Sequence, residues 1–272
     1  MKQVALVTGA SSGIGMETAK LLSEAGYMVY AAARRKDKLD AFASETIKPV
    51  VLDVTDDASM QSCVKGILES VGRIDVLVNN AGYGSHGAVE DVPMAEARRQ
   101  FDVNVFGLAR MTQLVLPSMR EAGYGKIVNI ASMGGRVWSP FAAWYHATKF
   151  AVEGLSASMR LELKPFGIDV IIVEPGAIET PWGEIAVQHM LDASKGGAYA
   201  AAVKRSAQKL TKRYTGNARR TKPEVIARCI VKAVTAKRPK TRYLLGYGAK
   251  PMVLIQKVFG DRIYDRLAKT VL

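Results

Sequence analysis

The feature that most constrains the fold is a repeated alternation of short, β-branched apolar runs with longer segments of helical periodicity. The apolar runs occupy residues 4–7, 28–31, 49–52, 74–78, 126–130, 169–173 and 242–245. Strands that are apolar at nearly every position fit a parallel sheet buried on both faces, and the intervening helices supply the cover. Right-handed crossovers then produce a doubly wound α/β sheet. We therefore predict an open parallel sheet of about seven strands with helices on both faces.

The length of 272 residues, of which 49% are hydrophobic, allows one large core, so we expect a single domain over residues 1–272. No apolar stretch approaches the ~20 residues that cross a bilayer. The N-terminal residues also lack the apolar core and cleavage site of a secretion signal. These features predict a soluble, cytoplasmic protein.

The charge is divided unevenly along the chain. Residues 1–180 hold 18 Lys/Arg and 20 Asp/Glu, a net charge of −2, whereas residues 181–272 hold 20 and 5, a net charge of +15. A basic block of this kind can attract an anionic substrate, an acidic membrane surface or nucleic acid, or simply form a solvated basic face. Because its cationic clusters lack a recognisable motif or interleaved aromatic residues, we expect no nucleic-acid partner.

A glycine-rich turn follows the first predicted strand and leads directly into a helix. Glycines let the turn tighten and let the backbone approach a pyrophosphate, while amides at the helix start stabilise its charge. A structural loop can use glycine for positive φ alone, but the placement between strand and helix favours a Rossmann-type dinucleotide site. The predicted cofactor-binding residues of this turn are Gly9, Ser11, Ser12, Gly13, Ile14 and Gly15.

The second predicted strand ends in Arg34 and Arg35, where enzymes that prefer NAD usually carry an acid. Arginine can bind a 2′-phosphate bidentately, whereas an acid would repel it. A basic helix start on the surface is the alternative. We predict that the cofactor is NADP(H).

Two further strand ends contribute to the predicted cofactor site. Asp53 and Val54 follow the third strand, where the carboxylate can accept a hydrogen bond from the adenine amino group or, alternatively, cap the next helix. Asn80, Ala81 and Gly82 follow the fourth strand. Their small size permits a ribose to lie against the backbone, and their amides can also hold neighbouring strands together.

Tyr145 and Lys149 are four residues apart, so on a helix their side chains share one face. A phenol with a pKa near 10 carries protons poorly at neutral pH, and an adjacent ammonium favours the phenolate. Tyr145 is then a general acid for carbonyl reduction and a base for the reverse reaction, while the Ser132 hydroxyl hydrogen-bonds the same oxygen. Most Tyr–Lys pairs at this spacing are surface pairs, but Ser132 after a strand and the upstream glycine turn favour catalysis.

These motifs together resemble the short-chain dehydrogenase/reductase family over essentially the whole chain. The stretch from Asn79 to Gly176 is similar to the 17β-hydroxysteroid-dehydrogenase-like branch, which includes many bacterial enzymes with no steroid substrate. The matching motifs are Thr8–Gly15, Asn79–Gly82, Asn104, Ser132, Tyr145–Lys149 and Pro175–Gly176. The resemblance implies interconversion of a carbonyl and a secondary alcohol by a homodimer or homotetramer, and we expect a lipophilic steroid-, retinoid- or acyl-like substrate.

The resemblance also assigns further roles. It implies that Lys149 holds the nicotinamide ribose and that Asn104 supports a water-linked proton path to it. The segment containing Pro175 and Gly176 would fix the nicotinamide carboxamide through the backbone of Ile178 and the hydroxyl of Thr180. A strand-ending turn is the alternative for Pro175 and Gly176. A catalytically silent NADP(H) sensor is the alternative function, although it need not retain all four catalytic residues.

Two C-terminal segments are predicted to act outside the sheet. Residues 184–222 lack a strand pattern and are the candidate substrate lid. Residues 251–272 form a candidate basic amphipathic helix, which can contact an anionic membrane peripherally, cover the pocket, or pack within a dimer or on its own domain. Trp138, Trp144 and Trp182 are candidates to wall an apolar pocket or to pack in the core. The three histidines are expected to have no metal-binding or direct acid/base role.

Overall fold

A computed structural model describes residues 2–214 and 219–271. All strand pairs in the sheet are parallel, and their order is β3-β2-β1-β4-β5-β6-β7. The strands are β1 Val4–Thr8, β2 Met28–Ala33, β3 Ile47–Val51, β4 Val76–Asn79, β5 Gly125–Ile130, β6 Ile168–Pro175 and β7 Arg242–Leu245. The predicted seven-stranded, doubly wound Rossmann-type sheet is confirmed.

Helices cover the two faces of this sheet. They are α1 Gly13–Glu24, α2 Lys36–Asp40, α3 Asp57–Val71, α4 Met94–Phe101, α5 Gly107–Glu121, α6 Ala143–Leu163, α7 Trp182–Ala193, α8 Ala200–Tyr214, α9 Pro223–Thr235 and α10 Ala249–Val271. A π-helical turn, Asp102–Phe106, joins α4 to α5, and a short 3₁₀ turn, Met133–Gly135, follows β5.

The core lies in two layers because successive strand residues point to opposite faces. Leu77 packs with residues of α3, α5 and α6, whereas its neighbours Val76 and Val78 pack with α1 and α9. All three side chains are fully buried, and each contributes roughly 1.5–3 kcal/mol by leaving water. This two-sided burial explains why the strands read as continuous apolar runs rather than as an alternating pattern.

The two C-terminal segments differ in detail from their predicted form. Helix α7 begins at Trp182, before the predicted lid, and Thr221 pairs with Ile178 beside the sheet, so the end of the 184–222 segment rejoins the fold. Residues 215–218 of that segment lie outside the described residues. The segment predicted as a helix over 251–272 lies in α10, where Gly260, with φ 69° and ψ −176°, separates two helical pieces. Within the described residues, none of the helices is both long and apolar enough to cross a membrane.

Candidate active site

A cavity of about 1000 Å³ opens at the carboxyl edge of the sheet, where residues following each of the seven strands meet. Open α/β sheets bind ligands at this edge. The cofactor wall of the cavity consists of Gly9, Ser11, Ser12, Gly13, Ile14, Arg34, Arg35, Asp53, Val54, Asn80, Ala81 and Gly82. The substrate wall consists of Tyr83, His86, Trp182, Ile185, His189 and Met252, and Ser132, Tyr145 and Lys149 lie between the two walls.

Hydrogen bonds hold the glycine turn against the end of β4. Asn80 donates from Nδ2 to the carbonyl oxygens of Thr8 (3.0 Å) and Gly9 (3.2 Å), and the Thr8 hydroxyl accepts from the Asn80 amide. Gly9 has a φ of +65°, and a Cβ there would lie 2.7 Å from the Ala81 Cα. Gly15 does not line the cavity; a Cβ on Gly15 would collide with the Asn80 side chain. The glycines therefore allow the turn after β1 to approach the segment after β4 closely, and this approach shapes the cofactor wall.

The start of α1 suits an anionic group. Ser12 is the N-cap residue but makes no side-chain capping hydrogen bond, so the first amides of the helix are available at the cavity surface. A Cβ on Gly13 would lie 3.1 Å from Thr180 Cγ2, which leaves little room for any side chain at this position. The cradle of small residues and amides fits the pyrophosphate of a dinucleotide.

The predicted arginine pair lies at the outer end of the same wall. Arg35 donates to the hydroxyl oxygens of Ser11 (2.9 Å) and Ser12 (3.2 Å), so it joins the end of β2 to the glycine turn. Arg34 is exposed beside it and also lines the cavity. Two guanidinium groups next to a phosphate cradle fit a dinucleotide that carries an additional phosphate.

Asp53 stabilises the turn after β3. Its carboxylate accepts hydrogen bonds from the Thr55 amide (2.9 Å) and hydroxyl (2.7 Å). Desolvation acts to raise the pKa of Asp53, but these hydrogen bonds and the charges of Arg34 and Arg99 outweigh it and lower the pKa. The alternative of a helix N-cap does not apply to Asp53, because Asp56 caps α3 by accepting from Ala58 N.

Tyr145 and Lys149 lie one turn apart on α6, as the spacing predicted. The Lys149 ammonium is 5.9 Å from the centroid of the Tyr145 ring and donates to the Ile130 carbonyl oxygen (2.8 Å). Burial lowers the pKa of Lys149 to about 8, and the negative charge of Glu153 partly opposes this shift. The lysine can thus act electrostatically on the phenol without forming a direct ion pair with it.

Ser132 is the N-cap residue of the 3₁₀ turn after β5. Its Oγ accepts from the Gly134 amide (3.0 Å), which fixes the oxygen. His146 holds the same loop from the next helix: its Nε2 accepts from the Ser139 amide (3.0 Å), so the proton is on Nδ1, which donates to the Gly134 carbonyl (2.9 Å). His146, the neighbour of Tyr145, therefore holds the loop that contains Ser132 and Ser139, a role that the sequence did not predict.

Asn104 lies in the π-helical turn and is 99% buried. Its side chain accepts from the Tyr83 amide (3.0 Å) and donates to the Tyr83 carbonyl (2.8 Å) and to the Thr148 hydroxyl (3.1 Å). A Cβ on Gly82 would lie 3.1 Å from the Asn104 Oδ1 and 3.8 Å from the Lys149 Nζ. Asn104 thus joins the segment after β4 to α6 beside Lys149. A π-helical turn at a functional position is a recurrent device, because the extra residue redirects a side chain.

The segment after β6 crosses the cavity toward α1. Gly176 donates from its amide to the Leu245 carbonyl (2.9 Å), and Ile178 forms its isolated bridge with Thr221. The predicted residues Gly176, Ile178 and Thr180 line the cavity together with Pro175, the last residue of β6. The segment is therefore both a strand-ending turn and a wall of the site.

Several residues of the substrate wall were not predicted from the sequence. His86 and His189 both line the cavity, although the sequence singled out neither as a site residue. Of the three tryptophans, Trp138 and Trp182 line the cavity and Trp144 does not. Neither histidine lies in a recognisable motif. Their meeting depends on the packing of α7 against the segment after β4, which no local sequence pattern predicts.

Comparison with known proteins agrees with this architecture. Residues 3–191 match the family described as short chain dehydrogenase. A probable short-chain type dehydrogenase/reductase of Helicobacter pylori, VdlC, is 35% identical over 268 residues, covering 98% of this chain and 97% of that protein. A 3-ketodihydrosphingosine reductase of Bacteroides thetaiotaomicron is 44% identical over 178 residues, which is 65% of each protein.

Solved structures show the same fold. A short-chain dehydrogenase from Streptomyces avermitilis superposes with a TM-score of 0.80 at 36% identity, covering 93% of this chain and 92% of that chain. A metagenomic short-chain oxidoreductase in complex with NADP superposes with a TM-score of 0.70 at 27% identity, covering 89% and 96% of the two chains. The family match, the full-length relative and the arrangement of the cavity lead to one conclusion: the chain belongs to the short-chain dehydrogenase/reductase family of oxidoreductases.

Proposed function

We propose that this protein is an NADP(H)-dependent oxidoreductase that interconverts a lipophilic ketone and the corresponding secondary alcohol. The observation that carries the proposal is that Ser132, Tyr145 and Lys149 lie in the same cavity as Arg34 and Arg35. The first set can stabilise and protonate an oxygen, and the second can bind a phosphate. Membership of the 17β-hydroxysteroid-dehydrogenase-like branch stays a prediction.

The cofactor wall would hold NADP(H) by backbone and side chain together. The glycine turn and the start of α1 would bind the pyrophosphate, and Arg34 and Arg35 the additional phosphate. Lys149 would bind the nicotinamide ribose, and the segment containing Ile178 and Thr180 would hold the carboxamide. The metagenomic relative in complex with NADP supports this choice of cofactor.

When bound, NADP(H) supplies or accepts the hydride. During carbonyl reduction, Tyr145 donates its hydroxyl proton to the substrate oxygen, which gains negative charge as the carbon is reduced. The Ser132 hydroxyl donates a hydrogen bond to the same oxygen, with its Oγ held by Gly134 N. The buried ammonium of Lys149 stabilises the phenolate that remains on Tyr145. In the oxidation direction, the Tyr145 phenolate takes the proton from the alcohol.

The substrate wall supports a lipophilic substrate. Trp182, Ile185 and Met252 bring large apolar surfaces to the cavity, and Leu210 of α8 adds another. The relative named 3-ketodihydrosphingosine reductase supports a ketone as the reacting group. A silent NADP(H) sensor would require none of the oxygen-binding arrangement around Tyr145, so the complete set favours the enzyme.

The proposed partners of the whole chain follow from its exposed apolar residues. We propose a homodimer or homotetramer, because α6 and the adjacent π-helical turn expose Phe106, Phe150 and Leu161, with Leu161 71% exposed.

We further propose peripheral contact with an anionic membrane through α10. That helix exposes Val258 (61%) and Phe259 (57%), and exposed cationic residues lie on the same helix. Sedimentation with anionic vesicles at low and high salt measures this contact.

The proposed function is tested by a matched cofactor experiment. The protein is assayed with NADPH and NADH against steroid, retinoid, acyl and aromatic ketones, and kcat/KM is compared for the two cofactors. We expect a preference for NADPH that falls about 10–100-fold in the Arg34→Ala and Arg35→Ala variants, the range expected for losing charge-assisted hydrogen bonds. Lys36→Ala, which removes a neighbouring exposed cation paired with Asp40, is the control. Equal use of NADH by the unaltered protein would contradict the cofactor assignment.

A further inference from the structure

His86 occupies an unusual position on the substrate wall. It lies beyond the end of β4 and is 6% exposed. Its ring centroid is 5.8 Å from that of Tyr145 and 5.4 Å from that of Trp182, in an edge-on arrangement with the tryptophan. The imidazole is therefore enclosed by aromatic rings next to the proposed proton donor, and it lines the cavity that contains Ser132.

Neither ring nitrogen of His86 has a hydrogen-bond partner among the described residues, although both atoms are buried. Leaving a buried polar group unsatisfied is unfavourable, and native structures contain few such groups. The other two histidines behave differently. His146 uses both nitrogens to hold the serine loop, and His189 pairs through Nδ1 with the Ser85 hydroxyl (3.1 Å).

The charge state of His86 limits the ligand groups with which its imidazole can form hydrogen bonds. Burial, together with the neighbouring charges of His146 and His189, lowers the pKa of His86 to about 3. The ring is therefore neutral near pH 7 and carries one donor and one acceptor. A neutral imidazole is a weak partner for a carboxylate or phosphate, but it matches a hydroxyl, which can donate and accept.

We propose that His86 is a substrate-binding residue that recognises a hydroxyl group near the reacting carbonyl, and that the substrate class is therefore a lipophilic hydroxy ketone. This inference rests on the proposed carbonyl reduction, because Tyr145 marks the position of the reacting oxygen. The ring centroids of His86 and Tyr145 are 5.8 Å apart, so a hydroxyl bound by His86 belongs to a carbon close to the reacting carbonyl carbon. The apolar remainder of the substrate then contacts Trp182 and Ile185.

A purely structural role for His86 makes a different prediction. If the imidazole only fills space between two rings, its replacement should impair all substrates equally and lower the melting temperature. If it binds a hydroxyl, replacement by an apolar ring should selectively impair substrates that carry the hydroxyl. Removing two unsatisfied nitrogens should leave the melting temperature unchanged or raise it.

The test uses pairs of medium-chain ketones that differ at one atom group. In each pair, one ketone carries a hydroxyl on the α- or β-carbon, and its partner carries a methyl group in place of that hydroxyl. kcat/KM with NADPH is measured for the unaltered protein, for His86→Phe, which keeps an aromatic ring, and for His86→Gln, which keeps a neutral donor and acceptor. We expect His86→Phe to lose at least about tenfold more activity on the hydroxy ketone than on its partner, with partial recovery in His86→Gln.

Binding is measured separately in the Tyr145→Phe background, where turnover does not interfere. Calorimetry with the NADP⁺ complex gives Kd for both members of each pair, before and after His86→Phe. A binding preference for the hydroxy ketone that disappears in His86→Phe supports the inference even if no ketone is turned over, an outcome that would contradict only the proposed function. Equal losses on both members in turnover and in binding would overturn the role of His86.

Discussion

The two walls of the cavity are built in different ways. The cofactor wall is formed mainly by backbone atoms and small residues of contiguous motifs, with the side chains of Arg34 and Arg35 at its outer end, and its shape depends on glycines such as Gly9, where a side chain does not fit. The substrate wall uses large side chains from distant segments, including His86 after β4, Trp182 and His189 of α7, and Met252 of α10. Backbone recognition permits few residue types at each position, whereas side-chain recognition permits many. We therefore expect the first wall to carry the family signature and the second to determine substrate specificity.

The largest expected effect is that of Tyr145→Phe, which should impair turnover without impairing cofactor binding. Loss of the hydroxyl removes the proton donor but leaves the cofactor wall intact. We expect kcat to fall by about a thousandfold or more, while Kd for NADPH changes by less than about threefold. Stopped-flow turnover and fluorescence titration measure the two quantities. Tyr124→Phe is the control, since the Tyr124 hydroxyl lies at the opposite edge of the sheet, where it accepts a hydrogen bond from Gln3. Normal turnover by Tyr145→Phe would contradict the mechanism.

Gly9→Ala tests whether the cofactor wall depends on backbone approach. A Cβ at Gly9 would lie 2.7 Å from the Ala81 Cα, and the residue has positive φ. We expect Kd for NADPH to rise at least about tenfold and the melting temperature to fall by several degrees.

Gly66→Ala provides the matched control for this substitution. Gly66 lies within α3, and a Cβ there meets nothing within 4 Å. Because alanine is the better helix former, this variant should be more stable by roughly 0.5–1 kcal/mol, with cofactor affinity unchanged. If Gly9→Ala binds NADPH as tightly as Gly66→Ala does, the close approach of the two loops is not a requirement of the site.

The same contrast explains how much the sequence could predict. The seven strands were evident because parallel strands buried on both faces leave a continuous apolar run, and Tyr145 and Lys149 were evident because helical spacing alone brings them together. Gly260 divides α10 without interrupting the pattern of apolar residues, so the break was not predicted. The burial of His86 depends on Trp182, which lies far later in the chain, and no local pattern encodes that contact.

Glu153 of α6 forms a buried carboxyl pair with Glu174 of β6, one helical turn from Lys149. Burial and the negative charge of Glu174, partly opposed by the charge of Arg242, raise the pKa of Glu153 to about 7. Glu153 Oε1 and Glu174 Oε2 have no donor among the described residues, and a proton shared between the carboxyls provides one. Above its pKa, ionised Glu153 supports the protonated form of Lys149 one turn away.

Glu153→Gln should therefore produce the smallest of these effects, a shift in the pH profile. The folded pKa of Lys149 is lowered to about 8, so the ammonium is lost as pH rises through that value, and reduction should then weaken. Removing the negative charge that raises this pKa should move the alkaline limb of kcat/KM to lower pH, by on the order of 0.5 unit for one charge a helical turn away. Glu162→Gln, an exposed site on the same helix, should leave the limb in place. The amide of the Glu153→Gln variant can still donate a hydrogen bond to Glu174, so we expect the fold to be retained. If the melting temperature is unchanged and the alkaline limb of kcat/KM does not shift, Lys149 does not determine that limb.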